Sequence, residues 1–260
     1  MIVAIGEMLV NGQGFGGVGW DTVATSVSHG SSSAFISPVS SDPAGRAMLE
    51  EMVDRHVLFD PDLCSSPYPS MSLSRIDGTA PMHVDSERLL SALQVNTDIR
   101  VIHLGSVTLQ RQEPSEAILC AVERYLPKPV VFVEPFVRRE LIPDKNAAVS
   151  SLRHSFRLAD VLVLRQEDIL LLGQSRKELQ DEYGCRVVLD GVWYNTDGSS
   201  IVSRPPADDR AYAGTLISVM HEAGLFGQDG ADPVFTYDRV VIERALASAA
   251  EATYVERDES

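Results

Sequence analysis

Several short stretches place acids, glycines and an arginine at spacings that could hold a ligand or move a proton. The segment Gly6 to Asn11 (GEMLVN) is followed closely by Gly16, Gly17, Gly19 and Asp21. Paired glycines let the backbone come near a ligand, at a cost in conformational entropy. The same pairs often do no more than make a turn, and both readings stand here. Asp42-Pro43-Ala44-Gly45 opens a helical pattern, and Arg165-Gln166-Glu167-Asp168 follows an apolar run. Arg165 could meet a phosphate, although an exposed arginine on a turn is the commoner role. Pro206-Ala207-Asp208-Asp209 precedes another helical pattern. A carboxylate there could act as a general base or reach a magnesium ion. It suits equally the N-cap and positive end of a helix, the simpler role for Asp42, Asp208 and Asp209 alike.

The remaining reactive residue types form no familiar set. The 6 histidines are scattered with no HExxH pair, so a zinc hydrolase is not expected. No Gly-x-Ser-x-Gly elbow occurs, so a serine triad has no support. Cys64, Cys120 and Cys185 lie far apart with no CxxC pair, the pattern of reduced thiols rather than a disulfide or zinc framework. No metal centre built from protein ligands is expected. The chain has 260 residues and a formal net charge of −15. That balance argues against nucleic acid or an anionic membrane as a partner, while a locally positive site could still take a small anion. No stretch reaches the roughly 18 apolar residues of a spanning helix. The opening MIVAIGEML is short and runs into an acid, unlike a signal segment. A soluble, cytoplasmic protein is the expectation.

The elements that must position these residues are legible from periodicity. Short apolar runs at 1–5, 34–38, 100–104, 129–133, 160–164 and 185–189 read as strands, most of them buried. Helical spacing covers 21–30, 43–56, 86–95, 113–125, 145–156, 167–183 with a break at Gly173, 212–223 and 237–255. Hairpins are expected around Asp77-Gly78 and Asp197-Gly198. Apolar strands alternating with helices predict a mainly parallel sheet covered on both faces. In such sheets ligands sit beyond the carboxyl ends of the strands. This directs attention to residues 7–11, Gly105, Glu134, Arg165 and the segment ahead of Tyr212.

The order of these pieces resembles the ribokinase (PfkB) family of sugar kinases. That family opens with a strand and a GE…D element, then a Gly-Gly…Asn element entering a helix, then an Asp-x-x-Gly element. Gly6 to Asn11, Gly16 to Gly30 and Asp42 to Gly45 stand in those places. SMSLSRIDG, HLGSV, VFVEPFVRREL and ADVLVLRQEDILLLG follow in the family's order, so the resemblance spans essentially the whole chain. It implies one three-layer α/β/α domain over 1–260, with a reduced β lid at about 11–16 and 70–84. It implies transfer of a phosphoryl group from ATP, with Mg2+, to a hydroxyl of a small sugar. Asn11, Gly16, Gly17, Asp21 and Asp42 would line the sugar site. Arg165, Asp168, Ala207 and Asp208 would lie toward the nucleotide, with Asp168 helping to hold magnesium through water, and Asp209 would be the base. It also implies a homodimer paired through lids, although a shortened lid leaves the oligomer open.

The departures from the family pattern bear on activity. The family's Gly-Ala-Gly-Asp element supplies backbone N–H donors to the phosphates and the base. An ungapped match puts it on Pro206-Ala207-Asp208-Asp209. Proline brings no N–H. A carboxylate at Asp208 about 4 Å from a phosphate repels it by about 4 kcal/mol at an effective dielectric of about 20. With one residue deleted, Arg210-Ala211-Tyr212 falls on the family's Asp-Ala-Phe, and the base is lost too. The sugar-binding aspartate is Asn11, the asparagine of the Gly-Gly element is Asp21, and the Asn-x-x-Glu element reads Arg165 to Asp168. Two functions follow: a divergent, weakly active or inactive kinase, and a non-catalytic relative that binds a sugar or nucleotide as a sensor or partner subunit.

Overall fold

Apolar runs that end at a glycine or an acid become strands of one sheet in the computed structural model. The structure describes residues 1–11, 14–60, 65–66, 84–95, 98–105, 107–137, 142, 144–207, 209–226 and 239–252. In chain order these form β1 (Ile2–Ile5), β2 (Leu9–Asn11), β3 (Gly14–Gly16), α1 (Val18–Ser28), β4 (Ser33–Ile36), β5 (Val39–Ser40), α2 (Pro43–Asp54), β6 (Ser65–Ser66) and α3 (Ser86–Val95). They continue through β7 (Val101–Gly105), α4 (Gln112–Arg124), β8 (Val130–Glu134), α5 (Lys145–Phe156), β9 (Val161–Leu164), α6 (Gln166–Leu172) and α7 (Arg176–Tyr183). The chain closes with β10 (Arg186–Leu189), β11 (Val192–Tyr194), β12 (Ser200–Val202), α8 (Asp209–Glu222) and α9 (Arg239–Glu251). A short 3-10 turn, Val107–Gln110, leaves β7.

The main sheet runs β12-β11-β10-β9-β8-β7-β1-β4. Its strands are parallel from β4 to β10, and β11 and β12 extend it antiparallel. Every residue of β1, β7, β8 and β9 is buried, as expected of parallel strands covered on both sides. The pleat sends alternate side chains to opposite faces. Val3, Ile5, Ile102 and Leu104 pack with Leu93, Ile118, Leu152 and Phe156 on one side. Ile2, Val101, Phe132 and Val163 pack with Leu216, Ile217, Met220, Ile242 and Leu246 on the other. Each such side chain fully buried is worth about 1.5–3 kcal/mol. These two layers enclose the sheet, and the expected mainly parallel α/β/α architecture is what the chain adopts.

The structure shifts several expected boundaries. The first helix begins at Val18 rather than at 21, because Gly17 turns the chain at φ 121°. The Asp21 N–H then bonds the Gly17 carbonyl at 2.8 Å. The helix expected from 212 begins at Asp209. A hairpin between β10 and β11 was not anticipated, although Asp190-Gly191 carries the usual signal and Asp190 takes φ 48°. The lid element expected at about 11–16 is a two-stranded hairpin that starts earlier, pairing Leu9 with Gly16 and Asn11 with Gly14. The second lid element and its hairpin at Asp77-Gly78 lie outside the described residues, apart from Val84, and so do Cys64 and Asp208. Among the described residues no helix is long and apolar enough to cross a membrane.

Asp42 caps α2, accepting the Gly45 N–H at 2.7 Å, with Pro43 in the first turn. Asp42→Ala should therefore lower the free energy of unfolding in urea by about 1 kcal/mol, the usual worth of such a cap. An unchanged midpoint would show that the cap carries no load.

Candidate functional site

The carboxyl edge of the sheet is built first by Glu7, one residue beyond the turn that ends β1. Its buried carboxylate accepts the Val107 N–H at 3.2 Å, the Thr108 N–H at 3.1 Å and the Thr108 hydroxyl at 2.7 Å. This acid ties the loop after β1 to the loop after β7. Gly17 lies against it so closely that a Cβ there would stand 2.4 Å from the Glu7 carbonyl oxygen. The close approach requires glycine. Gly16, its neighbour, is the last residue of β3. Asn11 ends β2, and its side chain lies outside the described structure.

One turn into α1 stands Asp21, only 7% exposed. Its Oδ1 accepts from Arg210 Nη2 at 3.1 Å and Nε at 3.3 Å. Arg210 Nη2 also donates to the Phe15 carbonyl at 3.0 Å. One guanidinium thus joins the β2–β3 hairpin, α1 and the first turn of α8. Gly214, one turn further along α8, makes this approach possible, since a Cβ there would lie 2.6 Å from the Thr22 carbonyl. Burial, opposed by Arg210 and the Gly17 backbone and aided by Glu134, pushes the Asp21 carboxyl up to about 7. Asp209 opens α8, but its side chain lies outside the described structure.

Further along the edge, Glu134 at the end of β8 meets His103 of β7, Oε2 to Nε2 at 3.0 Å, with both side chains buried. Arg165, expected as a phosphate contact, stacks over Phe136 with its carbon 3.6 Å from the ring centre. It donates to the Val137 carbonyl at 3.3 Å, and its Nε stands 3.8 Å from Asp168 Oδ2. Asp168 is 0% exposed. Its Oδ1 accepts the Val137 N–H and its Oδ2 the Arg165 N–H, each at 2.8 Å. Burial, with Arg165 opposing, raises the Asp168 carboxyl to about 6. Both oxygens bind backbone, so Asp168 fastens the loop after β8 to the start of α6. Asp42 caps α2, as described above.

A cleft of about 400 Å³ opens at the carboxyl ends of β8, β9 and β10, with Glu134, Arg165, Glu167, Asp190, Pro206 and Tyr212 among its lining. The N–H of Ala207 does not point a hydrogen bond into it, because it donates to the Ala250 carbonyl at 3.1 Å. With proline at 206, neither residue of this pair offers a backbone donor to an anion. Among the described residues no group of three or more His, Cys, Asp or Glu side chains is arranged to hold a metal ion. The structure therefore brings Gly17, Asp21 and Arg210 together on one side and Arg165, Glu134 and Pro206 on the other. Sequence reasoning singled out most of these; it did not foresee that Arg210 pairs with Asp21, nor that Tyr212 and Asp190 share a cleft.

No protein-family model matches the sequence, and no curated protein matches it. Solved structures do match in fold. Fructokinase with bound ATP from Xylella fastidiosa superposes with a TM-score of 0.74 and 17% identity, over 96% of this chain and 90% of that chain. Fructokinase from Vibrio cholerae O395, bound to fructose, ADP and calcium ion, gives 0.69 and 17% over 96% and 90%. Aminoimidazole riboside kinase from Salmonella enterica gives 0.70 and 17% over 96% and 91%. The chain has the ribokinase-like fold of these sugar kinases, and at this identity the likeness is one of fold.

The Asp21 carboxyl titrates near 7 when folded and near 3.8 when exposed. Between those values the folded chain keeps the proton and the unfolded chain releases it. This contribution to stability is therefore fully present below about pH 4 and is lost as pH rises to about 7. In urea titrations, wild type should lose up to about 4 kcal/mol relative to Asp21→Asn over that window. Parallel pH profiles for the two proteins would contradict the assignment.

Proposed function

We propose that this chain is a divergent relative of ATP-dependent sugar kinases that keeps a polar site for a small sugar and transfers phosphate weakly or not at all. The single observation that carries this reading is the Ala207 N–H bonded to the Ala250 carbonyl, beside a proline that has none. Phosphoryl transfer depends on positioning and on donors aimed at the charge that develops on the phosphoryl oxygens. At 206 and 207 one donor is absent and the other already bonded, so these two positions supply neither. Arg210 supports the same reading. In the register that sets Ala211-Tyr212 on the family's Ala-Phe, a guanidinium stands where the base would be, and it is bonded to Asp21. The sugar side is supported by Gly16, Gly17 and Asp21 on adjoining elements, with Asn11 at the end of the hairpin. ATP and Mg2+ belong to the active form of this reading. The residues that would meet them are Arg165, Ala207, Asp208 and Asp209. In the competing reading, a non-catalytic sensor or partner subunit, the same site binds without turnover. A single cytoplasmic domain over 1–260, its oligomeric state left open by the shortened lid, completes the proposal.

A coupled ADP-release assay over a panel of hexoses and pentoses, with ATP and Mg2+, is the test. Sugar-dependent release should stay at the no-sugar background, and Asp209→Asn should not change it. Sugar-dependent turnover at the roughly 1–100 per second ordinary for kinases, disappearing in Asp209→Asn, would overturn the proposal and restore Asp209 as a working base.

A further inference from the structure

The β2–β3 hairpin stands apart from the main sheet as two strands of 3 residues each. A two-stranded hairpin with no third strand is marginal in water and needs packing or polar ties to hold it. Val10 and Phe15 are only partly buried where they pack against the cluster that holds Trp20, Phe35 and Met48. Polar ties reach both ends of the hairpin. At its base the Met8 N–H donates to the Ser37 hydroxyl at 3.1 Å. In β3 the Phe15 carbonyl accepts from Arg210 Nη2 at 3.0 Å. The same guanidinium donates to Asp21 Oδ1 through Nε and Nη2. The Arg210 side chain is 28% exposed, whereas Asp21 is buried. Hairpin, guanidinium and buried carboxyl are therefore linked in one chain of contacts. Among the described residues, the charged groups acting on that carboxyl are Arg210 of α8 and Glu134 at the end of β8, itself bonded to His103 of β7. The Gly17 backbone bonds Asp21 from the turn between β3 and α1.

We propose that Arg210 is a clasp for the hairpin, holding Phe15 down on α1 and α8, and that ionisation of Asp21 beneath it loosens the clasp. In the closed form burial is the largest influence on the Asp21 carboxyl, which keeps its proton up to about pH 7 against 3.8 for the ordinary group. Arg210 opposes this, and the shift is upward all the same. Lifting the hairpin takes Phe15 from Arg210 and lets water reach the acid, so the open form gives up the proton sooner. The closed form binds more protons between those two values, and raising pH through the window shifts the balance toward the open form. The hairpin ends at Gly16 and leads into Gly17, so access to this side of the carboxyl edge becomes pH-dependent.

Amide hydrogen exchange of the whole chain, with no ligand present and rates divided by the intrinsic rate at each pH, reads the opening directly. Amides of β2 and β3 should exchange well ahead of those of β7 and β8, the sign of a local opening. Their protection should fall at least about tenfold between about pH 5 and pH 8. Asp21→Asn cannot ionise but can still accept from Arg210, and it should remove that pH dependence. Arg210→Met keeps an apolar stem and removes every donor. At about pH 5 it should cost about tenfold in hairpin protection, the worth of one charge-assisted hydrogen bond. If Arg210→Met does not fold, the wild-type and Asp21→Asn profiles decide alone. Protection that is level or rises with pH, a pH dependence unchanged in Asp21→Asn, hairpin amides that exchange only with the core, or wild-type protection in Arg210→Met would each overturn the inference. The readout uses neither sugar nor nucleotide, so it stands or falls separately from the proposed function.

Discussion

The carboxyl edge of this protein is organised by one contact, the Arg210 guanidinium against the buried Asp21 carboxyl. Arg210 reaches from the first turn of α8 to Asp21 in α1 and to the Phe15 carbonyl in the β2–β3 hairpin. Breaking such a pair from one side leaves a charge without a partner in a poorly solvated place, at about 3–5 kcal/mol for a fully buried case. Arg210 is 28% exposed, so the lower end applies. The pair sets where α8 begins against α1, and Gly214 lets the two helices touch. The segment ahead of α8 then runs beside the end of α9, where the Ala207 N–H meets the Ala250 carbonyl. The bonded Ala207 N–H and the Arg210–Asp21 contact thus lie at the two ends of one short segment.

Charge accounts for the rest of the edge. Asp168 and Glu7 each accept two backbone N–H groups and hold loops in place. Glu134 sits centrally: it pairs with His103, lines the cleft and contributes to the electrostatics of Asp21, Asp168 and Tyr212. Arginines that could have met phosphate are bonded to acids and carbonyls instead.

Much of the fold was legible in the sequence because it rests on local rules. Fully apolar β-branched runs could only be strands buried on both faces, and Asp42-Pro43 could only open a helix well. The Asp190-Gly191 hairpin carried a readable signal and was passed over; the earlier start of α1 depended on Gly17 adopting φ 121°, which no periodicity reveals. The site was legible in residue type but not in partnership. That Asp168 clamps two loops was not legible, since its partner Val137 is 31 positions away. The Asp21–Arg210 pair spans 189 positions. The partner of Ala207 lies in a different helix, beyond the reach of any motif.

The most direct measurement is a calorimetric titration of the chain with ATP and Mg2+, in the presence and absence of a saturating sugar. The account predicts no saturable heat up to millimolar nucleotide under either condition, because the segment at 206–207 offers no donor to the phosphates. Saturable binding at micromolar nucleotide, weakened by Arg165→Ala, would contradict it and would mean that the phosphates find their donors elsewhere along this edge.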